Sequence, residues 1–138
     1  MTKLVSACLL GIECRYDCTS KPNERVLRLL DTEVLIPVCP EQLGGLPTPR
    51  VPSEQKGVRV ISETGNDVTN NFNMGAKETL RIAQLYGIKE AILKQRSPSC
   101  GSGQIYDGTF SGTTVEGNGV TTTLLKRYGI NVISEEQI

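Results

Sequence analysis

The chain has 138 residues, and its fifteen basic and fifteen acidic side chains cancel. This balance removes the electrostatic footprint that duplex nucleic acid or an anionic membrane requires, so the expected partners include neither a nucleic acid polymer nor a membrane. Histidine is absent, which excludes Ser/His, Cys/His and His-zinc constellations and leaves any catalysis to Cys, Ser, Asp, Glu, Lys, Arg or Tyr.

In chain order, the apolar run "KLVSACLLG" predicts a first strand broken at Gly11. "NERVLRLLDT" predicts a short helix after the Lys21-Pro22 break, with Val26, Leu27, Leu29 and Leu30 as its apolar face. The partly β-branched "EVLIPVCPE" predicts a second strand, which runs into a proline- and glycine-rich loop, "QLGGLPTPRVPSE". "GVRVIS" alternates and is expected to pair as a hairpin arm with the polar "GNDVTN" after it. The longest periodic segment, "NNFNMGAKETLRIAQLYG", predicts a helix with Phe72, Ala76, Thr79, Leu80, Ala83 and Tyr86 on one stripe and Gly87 at its stop. "KEAILK" then reads as a strand, "GTFSGTTVEGNG" as a glycine-rich loop or hairpin, "GVTTTLLKRYG" as a helix ending at Gly129, and "INVIS" as a last strand. Strands alternating with helices predict an α/β fold: one domain over 1–138, a three-layer, Rossmann-like sandwich with a mostly parallel sheet.

No apolar run approaches the ~18 residues of a membrane span. "MTKLVSACLLG" is also too short for a signal peptide, so a cytoplasmic location is expected. In a reducing compartment the five cysteines argue for metal binding or thiol chemistry rather than disulfides. Cys8 closes the first predicted strand, Cys39 the second, and Cys100 lies in the loop after "KEAILK". In a parallel sheet all three reach the same edge, where the carboxyl ends of the strands open on one crevice. Free cysteine is also a common buried space-filler, so each thiol taken singly is explained equally well by packing. Together, and without histidine, they suggest a soft metal centre. Zinc normally asks for a fourth Cys or His, whereas a cubane iron-sulfur cluster can be held by three thiolates with one iron left open to a substrate.

The motifs "SACLLGIECRYDC", "CPEQLGGLPTPRVPSE", "LKQRSPSCGSGQIYDGTFSG" and "GVTTTLLKRYGINVISEE" are spread along nearly the whole chain, from Ser6 to Glu136. They resemble a small bacterial domain family, formerly of unknown function, that includes the iron-sulfur thiouracil desulfidases. The resemblance implies a [4Fe-4S] cluster on Cys8, Cys39 and Cys100, with Glu41 and Ser97 as catalytic groups near the open iron. It further implies removal of sulfur from a thiolated pyrimidine, 2-thio- or 4-thiouracil or its nucleotide, by a non-redox exchange of C–S for C–O. Ser99 competes with Ser97 because it adjoins a ligand, and Ser99 and Tyr106 are candidate substrate contacts, the latter with Asp107 as a pocket wall. Arg50 and Arg96 either contact an anion or flank the cleft. The glycine-rich stretch before "VTTTLLKR" is read as a helix entry within reach of a nucleotide phosphate. Cys18 departs from the family pattern, which has glycine after "CRYD", and makes either a redox pair with Cys14 or nothing. The alternative classes are a thiol redox protein, attacking through Cys100 with Cys14 or Cys18 resolving, and a structural metal-binding module. A monomer or small homo-oligomer acting on a small-molecule base or nucleotide is expected.

Overall fold

The computed structural model describes residues 1–138. Four strands, β1 (Thr2–Ser6), β2 (Val34–Val38), β5 (Glu90–Leu93) and β8 (Asn131–Ser134), form an all-parallel sheet in the order β2-β1-β5-β8. Two separate antiparallel hairpins pair β3 (Ser53–Lys56) with β4 (Arg59–Ser62) and β6 (Ser102–Tyr106) with β7 (Thr114–Asn118). The helices are α1 (Glu24–Arg28), α2 (Pro40–Leu43), α3 (Thr69–Leu85) and α4 (Val120–Arg127).

The predicted three-layer α/β arrangement is present, and pleating explains how one short sheet feeds two cores. Successive strand residues point to opposite faces. Leu4, Ala91 and Leu93 join Leu80 and Ala83 of α3 and Leu125 of α4 in one apolar cluster. Val5 and Ile92, one residue along, join Leu9, Val26 of α1 and Leu35 in the other. The central strands β1 and β5 are therefore apolar on both faces, as buried parallel strands must be. From β1 the chain moves outward to β2, then crosses back to β5 and outward to β8 on the other side. The carboxyl ends of β1 and β5 thus flank the point where the winding reverses, and a crevice opens there.

The predicted elements depart from the structure in three places. "GVRVIS" pairs mainly with the preceding "SEQK" through the Gly57–Val58 turn, where Gly57 takes a φ of 62°. The following polar segment adds only a bridge from Asp67 to Ile61. Tyr86 leaves the buried stripe of α3: the helix ends at Leu85, and the ring is 65% exposed. The apolar face of α1 buries Val26 fully, but Leu30 lies in the 3-10 turn after it and stays exposed.

Candidate active site

All three strand-end cysteines line one cavity of about 330 Å³ outside the carboxyl ends of β1, β2 and β5. Cys8 sits in the 3-10 turn Ala7–Leu10 that follows β1, ended by Gly11 at φ 94°. Cys39 is the N-cap of α2, with Pro40 in the first helical position, where its fixed φ fits and its missing N–H costs nothing. Glu41, next in the first turn of α2, points into the same cavity. Cys100 lies in "SPSCG", a loop closed by a hydrogen bond from Gly101 N to Ser97 O (2.9 Å).

That loop is held from several sides. Ser99 N and Cys100 N both donate to Ser97 Oγ at 3.1 Å. The start of α4 docks against it: Val120 N donates to Pro98 O and Thr121 N to Ser99 O, each at 2.9 Å, while Thr122 Oγ1 donates to Cys100 O at 2.9 Å. The phosphate reading of this helix entry is thereby corrected, because the amides an anion would use already serve the cysteine loop. Glu135 and Glu136, the acids of "ISEE", tie down the segment before the loop by pairing with Lys94 (3.0 Å) and Arg96 (2.8 Å). Arg96 accordingly flanks the site rather than lining it.

A continuous polar chain crosses the cavity. Arg50, from the proline-rich loop, donates through Nε to Glu41 Oε1 at 3.0 Å. It also donates through Nη2 to Cys14 O at 3.0 Å and through Nη1 to Thr48 Oγ1 at 2.8 Å. Glu41 Oε2 accepts from Ser99 Oγ at 2.9 Å, and Ser99 Oγ lies 2.9 Å from Ser97 Oγ. A hydroxyl has one proton to give. With that of Ser99 on the carboxylate, Ser97 donates to Ser99, while its own oxygen accepts the two loop amides. Ser99 therefore touches Glu41 directly, and Ser97 reaches it through Ser99. Arg50, with its side chain only 7% exposed against 17% for Glu41, is built into the site rather than flanking it. Tyr106 lines the cavity, whereas Asp107 does not.

The thiols are free and mutually influential. Burial pushes the Cys100 thiol up to about 12, with the neighbouring hydroxyls of Ser6 and Ser99 pulling it back and the charges of Glu41 and Cys39 adding to the rise. A hydrogen bond with Cys14, then burial, raises Cys39 strongly. For Cys14 the bond to Cys39 lowers the value, but the opposing bond to Cys8 and burial outweigh it and the net shift is upward. Cys14 is thus buried among the cavity thiols, while Cys18 is exposed with a φ of 63° and the two are not bonded. That left-handed conformation accounts for a glycine at this position in the family pattern.

The donor set fits an iron-sulfur cluster. No three Cys, Asp or Glu side chains converge closely enough to hold a single metal ion. Thiolates that hold a cubane need no such convergence, since each takes a different iron. All three thiols line the one cavity, and the absence of histidine leaves sulfur as the soft donor.

Fold and cavity together define a parallel α/β protein with a thiol-lined site at the switch point of its sheet. The sequence model of the 2-thiouracil desulfurase family matches residues 4–137, and the chain belongs to that family. It is 44% identical over 145 residues to the uncharacterized protein YbbK of Bacillus subtilis (strain 168), covering 98% of this chain and 96% of that one. A solved structure of the [4Fe-4S]-dependent thiouracil desulfidase TudS superposes with a TM-score of 0.91 at 47% identity, covering 99% of this chain and 92% of that chain. No helix is long and apolar enough to cross a membrane.

Sequence reasoning left Arg50 between an anion contact and the flank of the cleft, without its role on Glu41, and missed Glu54 and Phe110, which also line the cavity. The signal for Arg50 lay in "PTPRVP", where prolines on both sides stiffen the backbone beneath one long side chain. No local pattern marks the other two.

Proposed function

We propose that the chain removes sulfur from a thiolated pyrimidine base or nucleotide, replacing the thiocarbonyl sulfur with oxygen from water and releasing hydrosulfide. Cys8, Cys39 and Cys100 hold a [4Fe-4S] cluster in this reading. The observation that carries it is the meeting in one cavity of three strand-end thiols with the Glu41–Ser99–Ser97 hydrogen-bond chain. A cluster with one iron free of protein ligands supplies Lewis acidity toward the thiocarbonyl sulfur.

The protein's own groups supply the proton handling. Arg50 fixes one carboxylate oxygen of Glu41, leaving the other directed at Ser99. Glu41 accepts a proton from the water that attacks the ring carbon, and the Arg50 bond holds that carboxylate in place within the cavity. Ser97 and Ser99 form a hydroxyl relay that orients that carboxylate and passes a proton to the ring nitrogen or the departing sulfur. Oxygen replaces sulfur at unchanged oxidation level, so no electron donor enters.

The test is iron and acid-labile sulfide per chain after oxygen-free reconstitution, with hydrosulfide release from 2-thiouracil and 4-thiouracil. Wild type is expected to carry about four of each, and alanine variants of Cys8, Cys39 and Cys100 to lose both. Glu41→Gln should keep the iron and lose about 10²- to 10⁴-fold in kcat. Wild type without iron uptake, and cysteine variants indistinguishable from it, would return Cys100 to thiol redox chemistry.

A further inference from the structure

We propose that Phe110 is a wall against which the substrate ring packs, and that Glu54 is the positioning residue that holds it there; this rests on the thiolated-pyrimidine reading. The chain has six Phe and Tyr residues and no Trp, and three of them, Tyr16, Tyr106 and Phe110, line the one cavity that also holds the thiols. Planar heteroaromatic rings gain from packing on aromatic faces, and such packing tolerates different ring substituents.

Phe110 has an unusual backbone. It sits at the tip of the β6–β7 hairpin with a φ of 57°, between Gly108 at 94° and Gly112 at 80°. A bulky residue in the left-handed region is an outlier, and it persists only where its surroundings impose it. The imposing group is Glu54, on β3 and only 8% exposed. Its Oε1 accepts from Gly108 N at 2.9 Å and from Phe110 N at 3.2 Å. Neither lysine nor arginine pairs with it, so its carboxylate is compensated by backbone amides of the tip. Charge-assisted bonds of this kind are stronger than neutral ones.

Strand β3 is itself braced on the cysteine loop. Gln55, the next residue, points to the other side and donates through Nε2 to Pro98 O and Asn118 O, each at 3.0 Å. The strand therefore spans from the backbone beside Cys100 to the tip that carries Phe110. It sets the distance between the thiol edge of the cavity and its aromatic wall.

The experiment uses the reconstituted protein. KM and kcat for 2-thiouracil, and Kd for uracil by calorimetry, are measured for wild type, Phe110→Leu, Phe110→Tyr, Glu54→Ala and the Glu54/Phe110 double variant. Amide hydrogen exchange is followed at Gly108 and Phe110. Phe110→Leu should raise KM and Kd about tenfold with kcat within about threefold, and Phe110→Tyr should stay near wild type. Glu54→Ala should raise KM by a similar factor and speed exchange at both amides, with unchanged iron content. The double variant should be no worse than either single change, as expected when one residue acts through the other. Unchanged KM in Phe110→Leu, multiplying effects in the double variant, or exchange that ignores Glu54 would overturn the wall alone. An iron-replete wild type that neither binds uracil nor converts 2-thiouracil would overturn the pyrimidine reading beneath it, even with the amides of Gly108 and Phe110 protected.

Discussion

Gly75 offers a sharp test of how the site is positioned, because helix propensity and tertiary packing give opposite answers there. It lies inside α3, where replacing glycine by alanine normally gains about 1 kcal/mol. In this structure a Cβ at Gly75 would stand 2.8 Å from Pro40 C and 3.3 Å from Gly44 N, with the Pro40 carbonyl oxygen nearer still. Carbon atoms settle at roughly 3.5–4.0 Å, so α2 must retreat by about 1 Å. Overpacking of this kind costs about 1–3 kcal/mol, which offsets the propensity gain and leaves a net loss of up to about 2 kcal/mol. At about 4 °C per kcal/mol for a chain of this size, the melting temperature should fall by up to about 8 °C. The displaced helix carries Glu41 and begins at Cys39, and a misplacement of about 1 Å can cost about 10²-fold in rate. The assay is thermal unfolding, iron content and kcat for Gly75→Ala, with Met74→Ala on the exposed side of the same helix as a control expected within about 0.5 kcal/mol of wild type. A Gly75→Ala protein that melts about 4 °C higher with full activity would refute the close contact as the reason for this glycine.

The serine relay predicts non-additivity: Ser97→Ala and Ser99→Ala should each lower kcat at least about tenfold, and the double variant should fall no further than the worse single one. Ser97→Ala should in addition loosen the cysteine loop, since it strips the acceptor from two amides at about 1–3 kcal/mol each, visible as a lower urea midpoint. Cys18→Gly should raise stability by about 0.5–1 kcal/mol by relieving the left-handed φ of 63°, and leave desulfurisation unchanged; denaturant titration and kcat report both. Asp67 gives a pH test. Hydrogen bonds from Thr69, first through its hydroxyl, and then the Arg59 guanidinium lower its carboxyl below the usual range. A depressed folded value means that its stabilisation is complete above the unfolded value near pH 4 and disappears as pH falls through the folded one. Asp67→Asn should therefore melt slightly lower than wild type at neutral pH, converge with it as pH falls through the folded value, and so flatten the acid limb of a stability–pH curve.

Much of this architecture is written in local pattern. The apolar runs of β1, β2 and β5 and the 3.6-residue stripe of α3 settle the order of strands and helices. That order already puts Cys8, Cys39 and Cys100 at strand ends, and a parallel sheet needs no further information to bring them to one edge. What the sequence could not express is whatever depends on two distant segments touching. Pro40–Leu43 is too short to show a period, and it becomes a helix because proline suits its first turn and Gly44 and Gly75 let it lie against α3. "SEQK" is wholly polar, without the alternation that marks a strand, yet it carries Glu54 to the hairpin tip and Gln55 to the cysteine loop. Ser97 and Ser99 look equivalent in "SPSC", and only the fold directs Ser99 at Glu41 while the Ser97 oxygen takes up two amides. The kind of chemistry was therefore legible from which residue types are present and absent along the chain. The identity of each group's partner was decided by tertiary packing, because a hydrogen bond between residues fifty-eight positions apart leaves no trace in the neighbours of either.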